Sequence, residues 1–104
     1  MAPILVFDIE TIPDVAGIRR LWGIDASVDD AAVAELAAQR RRQATGGDFL
    51  PQHLHRVVAI SCALRDRDSV KVWSLGTNQD GEAELVKRFF DGIDKYTPQL
   101  VSWN

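Results

Sequence analysis

The run Ile4-Leu5-Val6-Phe7-Asp8-Ile9-Glu10 constrains the fold of this chain more than any other stretch. Its apolar residues are β-branched or aromatic for the most part, and Pro13 closes the segment, so Ile4 to Ile9 reads as a buried strand. Successive side chains of a strand point to opposite faces. Asp8 and Glu10, two residues apart, therefore share one face, and Phe7 and Ile9 share the other. Two acids at the C-terminal end of an apolar strand are costly unless water, hydrogen bonds or a cation offset their charge. A divalent cation meets that need. Mg²⁺ and Mn²⁺ take oxygen ligands, and a two-metal site holds its ions about 3.5–4 Å apart with one carboxylate bridging them. A bare Asp-x-Glu can equally be a solvated strand end, and the rest of the chain has to decide between the two.

Downstream, Asp14 is placed to cap a short helix through Ile18 and Leu21-Trp22 to Gly23. Ser27-Val28-Asp29-Asp30 resembles a capping box for a second helix, which carries Val33 and Leu36 and ends with Arg40-Arg41-Arg42 before Gly46-Gly47. A loop over residues 46–52 leads to Arg56–Arg65, where apolar residues on both parities predict a central strand buried on two sides. The polar turn Asp66-Arg67-Asp68 joins it to a further strand over Val70–Leu75, and the pair predicts a hairpin. From Glu82 to Tyr96, Leu85, Val86, Phe89, Phe90, Ile93 and Tyr96 recur at helical spacing. Thr97-Pro98 ends that helix. Leu100-Val101-Ser102-Trp103 opens another extended segment that stops at Asn104 without a turn or cap.

Bulk properties narrow the class without naming it. A length of 104 residues predicts one domain or part of one, and 46% hydrophobic residues are enough for a core. A net charge of −3 rules out a molecule that is basic all over, so any phosphate-binding patch is local. Arg40-Arg41-Arg42, with Arg19 and Arg20, is the candidate patch, although arginines at a helix C-terminus also complement the helix dipole. Cys62 is the single cysteine and sits in an apolar stretch, which predicts an inert buried thiol in a reducing compartment. His53 and His55 lack the further ligands of a zinc site and read as a loop entering a strand. Trp22, Trp73 and Trp103 are read as core residues before base-stacking platforms, and Tyr96 as packing on its helix stripe. No stretch approaches the ~20 apolar residues of a membrane span, so the expectation is a cytoplasmic protein without a membrane partner.

Ile4-Leu5-Val6-Phe7-Asp8-Ile9-Glu10-Thr11 resembles the first exonuclease motif of the DEDD superfamily, and Thr11-Ile12-Pro13-Asp14 extends the resemblance. The chain is similar to the predicted 3′-5′ exonucleases related to the proofreading domain of family-B DNA polymerases. The strand His55–Cys62 fits that family, as does Leu100–Asn104, which resembles the entrance to a second motif of the form N-x2–3-F/Y-D. The resemblance implies a ribonuclease-H-like α/β fold with three antiparallel strands, a crossover helix and a fourth strand parallel to the first. Residues 1–104 would be the N-terminal part of a single exonuclease domain, truncated, with a helical insertion over about 14–52.

The same resemblance implies that Asp8 bridges two Mg²⁺ or Mn²⁺ ions, that Glu10 ligates one and orients the attacking water, and that a nucleoside monophosphate is released. It implies substrate contacts at Thr11, Ile12 and Asn104. The remaining acids and the Tyr or His of the later motifs are not in this sequence, so the chain alone is expected to be inactive. Its expected partners are single-stranded or 3′-terminal nucleic acid and, through an unpaired sheet edge, a second copy of itself. Two alternatives stay open. One is a non-catalytic nucleic-acid-binding or scaffolding remnant. The other is an aspartate-based phosphatase with a D-x-D strand end, against which Glu10 and the hairpin argue.

Overall fold

The computed structural model describes residues 2–77 and 80–102 of the chain. They fall into two compact units, Met1–Thr11 with Val57–Asn104, and Ile12–Arg56.

The first unit is built on a four-stranded sheet of order β3-β2-β1-β4. Strand β1 spans Ile4–Pro13, β2 His55–Asp66, β3 Ser69–Leu75 and β4 Gln99–Ser102, with one helix of this unit, α3, over Glu82–Tyr96. β1 runs further than its apolar run predicts. Thr11 and Ile12 are β-branched and keep the backbone extended, and Pro13 is tolerated at a strand end where no ladder donor is needed. The acid pair therefore lies inside the strand and not at its end. β2 and β3 form the expected antiparallel hairpin, in register from Asp66↔Ser69 to Ile60↔Leu75. Its two-residue loop places Arg67 at φ 59°, the left-handed geometry that matches strand twist in tight hairpins. β4 pairs parallel with β1, from Ile4↔Gln99 to Phe7↔Ser102. Parallel neighbours need a crossover connection, and α3 supplies it. This mixed α/β sheet, with β1 parallel to β4, is consistent with a ribonuclease-H-like fold.

The apolar stripe of α3 decides which side of the sheet is covered. Leu85 and Phe89 are buried against Leu5, Ile60, Cys62 and Leu64, and Phe7, Ile9, Trp73, Leu75 and Tyr96 pack around them. Phe7 and Phe89 meet at 5.0 Å between ring centroids, tilted by 59°. The Glu82 carboxylate accepts a hydrogen bond from the Val57 backbone N–H, which ties the first turn of α3 to the start of β2. Gly76, at φ 109°, leaves β3 where an added Cβ would lie 2.4 Å from the Val58 carbonyl oxygen, so only glycine fits. The expectation that β2 is buried on both sides is corrected here. Ile60, Cys62 and Leu64 are buried, whereas Ser61 is exposed and Ala63 is half-buried. Small residues on the second parity of β2 are compatible with an open face, and they line one.

The second unit has its own core, Ile18, Val33, Ala37, Leu50 and Leu54, flanked by Val15, Trp22, Ile24 and Val28. Helix α1 (Val15–Trp22) is capped by the Asp14 side chain, which accepts from the Gly17 N–H, and ends at left-handed Gly23. Helix α2 (Asp30–Thr45) starts later than the Ser27 capping box predicts, because Asp29 is the cap and accepts from the Ala32 N–H. The Ser27 N–H goes instead to the Asp25 carboxylate, and the Val28 N–H to the Asp25 carbonyl, so residues 25–28 form their own turn. Left-handed Gly46 closes α2, and a short 3-10 turn over Gln52–Leu54 leads into β2. No helix of the described residues is long and apolar enough to cross a membrane.

Candidate functional site

β1 presents Leu5, Phe7 and Ile9 to α3, so strand alternation turns Val6, Asp8 and Glu10 to the opposite face. That face carries no helix of its own unit among the described residues. Val6 and Val72 are exposed on it at 42% and 78%, and Val101 of β4 stands in register with Val6. A hollow of about 240 Å³ lies there, bordered by Val6, Asp8, Ser61, Ala63 and Val72, and Asp8 is its charged group. Asp8 is half-buried and Glu10 exposed. At the strand rise of about 3.4 Å per residue their Cα atoms are about 7 Å apart. Glu10 has one methylene more than Asp8, and its carboxylate the longer reach from the strand.

The donor set defines what the pair can hold. Among the described residues there is no group of three or more His, Cys, Asp or Glu side chains placed to hold a metal ion. Two carboxylates on an open face suit one hard cation that keeps most of its waters, which is how Mg²⁺ is commonly bound. They do not by themselves make a two-metal cage. Thr11 is exposed at the next position of β1, and Ile12 is exposed two residues beyond Glu10, in the second unit. Asn104 and Trp103 lie outside the described residues. His53 and His55 join no metal-binding group, and the His55 Nε2–H donates to the Leu50 carbonyl at 2.9 Å.

A family model described as a predicted 3′-5′ exonuclease related to the exonuclease domain of PolB matches residues 47–104. The chain belongs to this family. The match takes in β2, β3, α3 and β4 and leaves out Asp8, Glu10, Thr11 and Ile12. Membership of the exonuclease family and the acid pair on β1 are thus two separate observations, resting on different residues. No curated protein and no solved structure matches the chain.

Outside β1, the arginines do not form the uniform patch that their clustering predicts. Arg19 is committed to the Asp30 carboxylate at 2.8 Å and to the Val28 and Asp25 carbonyls. Arg42 pairs with Glu35 at 2.8 Å and with Asp48 at 3.7 Å. Arg40 lies over the Trp22 ring, 4.3 Å from its centroid, and Arg41 donates from Nε to the Phe49 carbonyl at 3.0 Å. Phe49 was not singled out in the sequence, yet it is 75% exposed and its ring sits 4.9 Å from that of His55. An aromatic residue isolated in a Gly-Gly-Asp loop has no periodic neighbours to flag it. Cys62 is buried, and burial pushes its thiol pKa up, as an inert core cysteine requires.

Proposed function

We propose that this chain carries the acid pair of a metal-dependent 3′-5′ exonuclease that releases nucleoside monophosphates from the 3′ end of DNA or RNA. The observation that supports this most is the position of Asp8 and Glu10 on the open face of an interior strand, in a chain of an exonuclease family. In this reading the pair holds Mg²⁺ or Mn²⁺. When bound, the cation acts as a Lewis acid and lowers the pKa of a coordinated water. Half-buried Asp8 would hold the cation on the strand, and exposed Glu10 would supply a second carboxylate to ligate it and orient the attacking water. The family resemblance assigns contacts with the terminal nucleotide to Thr11, Ile12 and Asn104. Two carboxylates do not position both ions and the nucleophile, so the 104-residue chain alone is expected to be inactive. A reducing, cytoplasmic setting fits the buried free thiol.

A Mn²⁺ titration followed by electron paramagnetic resonance tests the metal assignment. Wild type is expected to take up one ion per chain, and Asp8→Asn and Glu10→Gln to weaken uptake at least about tenfold. Equal uptake by all three proteins overturns it. A paired assay with 3′-labelled single-stranded DNA and a small phosphomonoester, run on a longer product that also supplies the later motifs, separates the reaction classes. Stepwise nucleotide release that Asp8→Ala abolishes is the exonuclease result, and turnover of the phosphomonoester alone is the phosphatase result. The sparse donor set favours a second reading, a nucleic-acid-binding or scaffolding protein without catalysis. Its signature is oligonucleotide binding that neither metal nor Asp8→Asn alters. The exposed valines of the open face and the edge strand β4 also support self-association, and a clean monomer in sedimentation velocity counts against that.

A further inference from the structure

The helical unit contains a second hollow, of about 170 Å³, lined by buried Ala37, Leu50 and Leu54 and by Trp22, Arg40 and Arg41. All six cations of Ile12–Arg56 are arginines, whereas the three lysines of the chain lie in the other unit. That choice matters because a guanidinium both stacks on flat rings and grips phosphate oxygens with a planar fork, which an ammonium does not. The hydrogen bonds sort the arginines at the end of α2. Arg42 is consumed by Glu35 and Asp48. Among the described residues the Arg41 side chain bonds only through Nε, to the Phe49 carbonyl, so its terminal nitrogens remain for a ligand. Arg40 lies over the Trp22 ring, beside the hollow that both residues line. The Arg41 bond also fixes the backbone that carries the exposed Phe49 ring, with the His55 ring beside it, tilted by 35°. An apolar hollow and a solvent-facing aromatic ring suit two flat bases of a nucleotide strand, and the two guanidinium groups beside the hollow suit its anionic phosphates.

We infer that this surface of the helical unit binds a short stretch of single-stranded nucleic acid, with bases on Phe49 and in the hollow and phosphates on Arg40 and Arg41. The inference rests on the nucleic-acid partner proposed above and adds a contact that most of the family match does not reach, since Trp22, Arg40 and Arg41 precede residue 47.

Anisotropy of a 5′-fluorescein oligothymidylate, titrated with the whole chain in chelator at several salt concentrations, tests it without involving metal at Asp8. Phe49→Ala is expected to weaken binding about tenfold, the scale of one lost base stack. Because Phe49 is exposed, that variant keeps the fold, and its circular dichroism melt verifies this. The double change Arg40→Gln with Arg41→Gln is expected to lower the slope of log affinity against log salt by about 0.7 per phosphate contact removed. Binding by wild type that both variants retain in full overturns this surface and leaves the exonuclease reading standing. No binding by wild type overturns the surface and removes the nucleic-acid partner with it, while the Mn²⁺ titration still judges the acid pair separately. Competition by polyglutamate as effective as unlabelled oligonucleotide overturns it as well, because it marks a docking site for acidic peptide.

Discussion

The sheet unit and the helical unit bury comparable sets of side chains by opposite means. In the first, one amphipathic helix closes one face of a four-stranded sheet, and the other face stays open with valines and two carboxylates on it. In the second, two helices and a loop enclose a small aliphatic core of Ile18, Val33, Ala37, Leu50 and Leu54. Each of its helices is capped by an aspartate at one end and a left-handed glycine at the other. Charge divides along the same line. The sheet unit holds every lysine and the candidate metal ligands, and the helical unit holds arginines alone as cations. A one-sided sheet leaves functional groups on a flat, rigid surface, whereas the helical unit presents Arg40 and Arg41 from the last turns of α2.

Core truncation sets the scale of that comparison. Leu85→Ala in α3 and Ile18→Ala in α1 remove side chains that are 1% and 0% exposed, and each is expected to cost about 2–5 kcal/mol in urea denaturation. A cost below about 1 kcal/mol for Leu85→Ala would mean that α3 is not what covers the sheet. Gly76→Ala comes next, at more than about 1 kcal/mol, because φ 109° and the Val58 carbonyl both oppose a Cβ. Gly47→Ala is the control, near neutral, since nothing lies within 4 Å of the added carbon. In the helical unit, Asp29→Ala is expected to cost about 1 kcal/mol and Ser27→Ala much less, a contrast that checks which residue caps α2.

The smallest effect concerns pH. Burial raises the Cys62 pKa in the folded state, so the folded chain keeps its thiol proton at pH values where the unfolded chain loses it. Stability is therefore expected to fall as pH rises past the ordinary thiol range near about 8.5, and alkylation of Cys62 to be slow until the protein unfolds. Fast alkylation of the native protein at neutral pH would contradict the burial of Cys62.

The parts of the structure that were legible in the sequence are those whose signals agree with one another. Glu82–Tyr96 matches at both ends because the apolar stripe, the acidic first turn and Thr97-Pro98 all specify the same helix. The hairpin after Asp66 follows from an equally local pattern, whereas the parallel return of β4 to β1 joins residues far apart in the chain and was an expectation that the family resemblance supplied. Boundaries failed where two local options competed. Ser27 and Asp29 both suit a helix cap, and the Asp25 turn decides between them. β1 outran its apolar run because Thr11 and Ile12 prefer extended backbone whether or not they are buried. Small apolar residues such as Ala59 and Ala63 looked buried on both sides of β2, but alanine is at home on an open face too. At the site, the shared face of Asp8 and Glu10 followed from strand alternation alone. The commitments of Arg19 and Arg42 did not, since they depend on partners brought close only by the fold.

The central claim is that Asp8 and Glu10 form a cation site on the open face of β1, and paramagnetic broadening by Mn²⁺ in amide nuclear magnetic resonance spectra tests it most directly. At low Mn²⁺, the backbone amides from Phe7 to Thr11 are expected to broaden first, and Asp8→Asn to abolish that broadening. Broadening centred elsewhere, as at the Asp66-Arg67-Asp68 turn, with the β1 amides left sharp, would contradict the account.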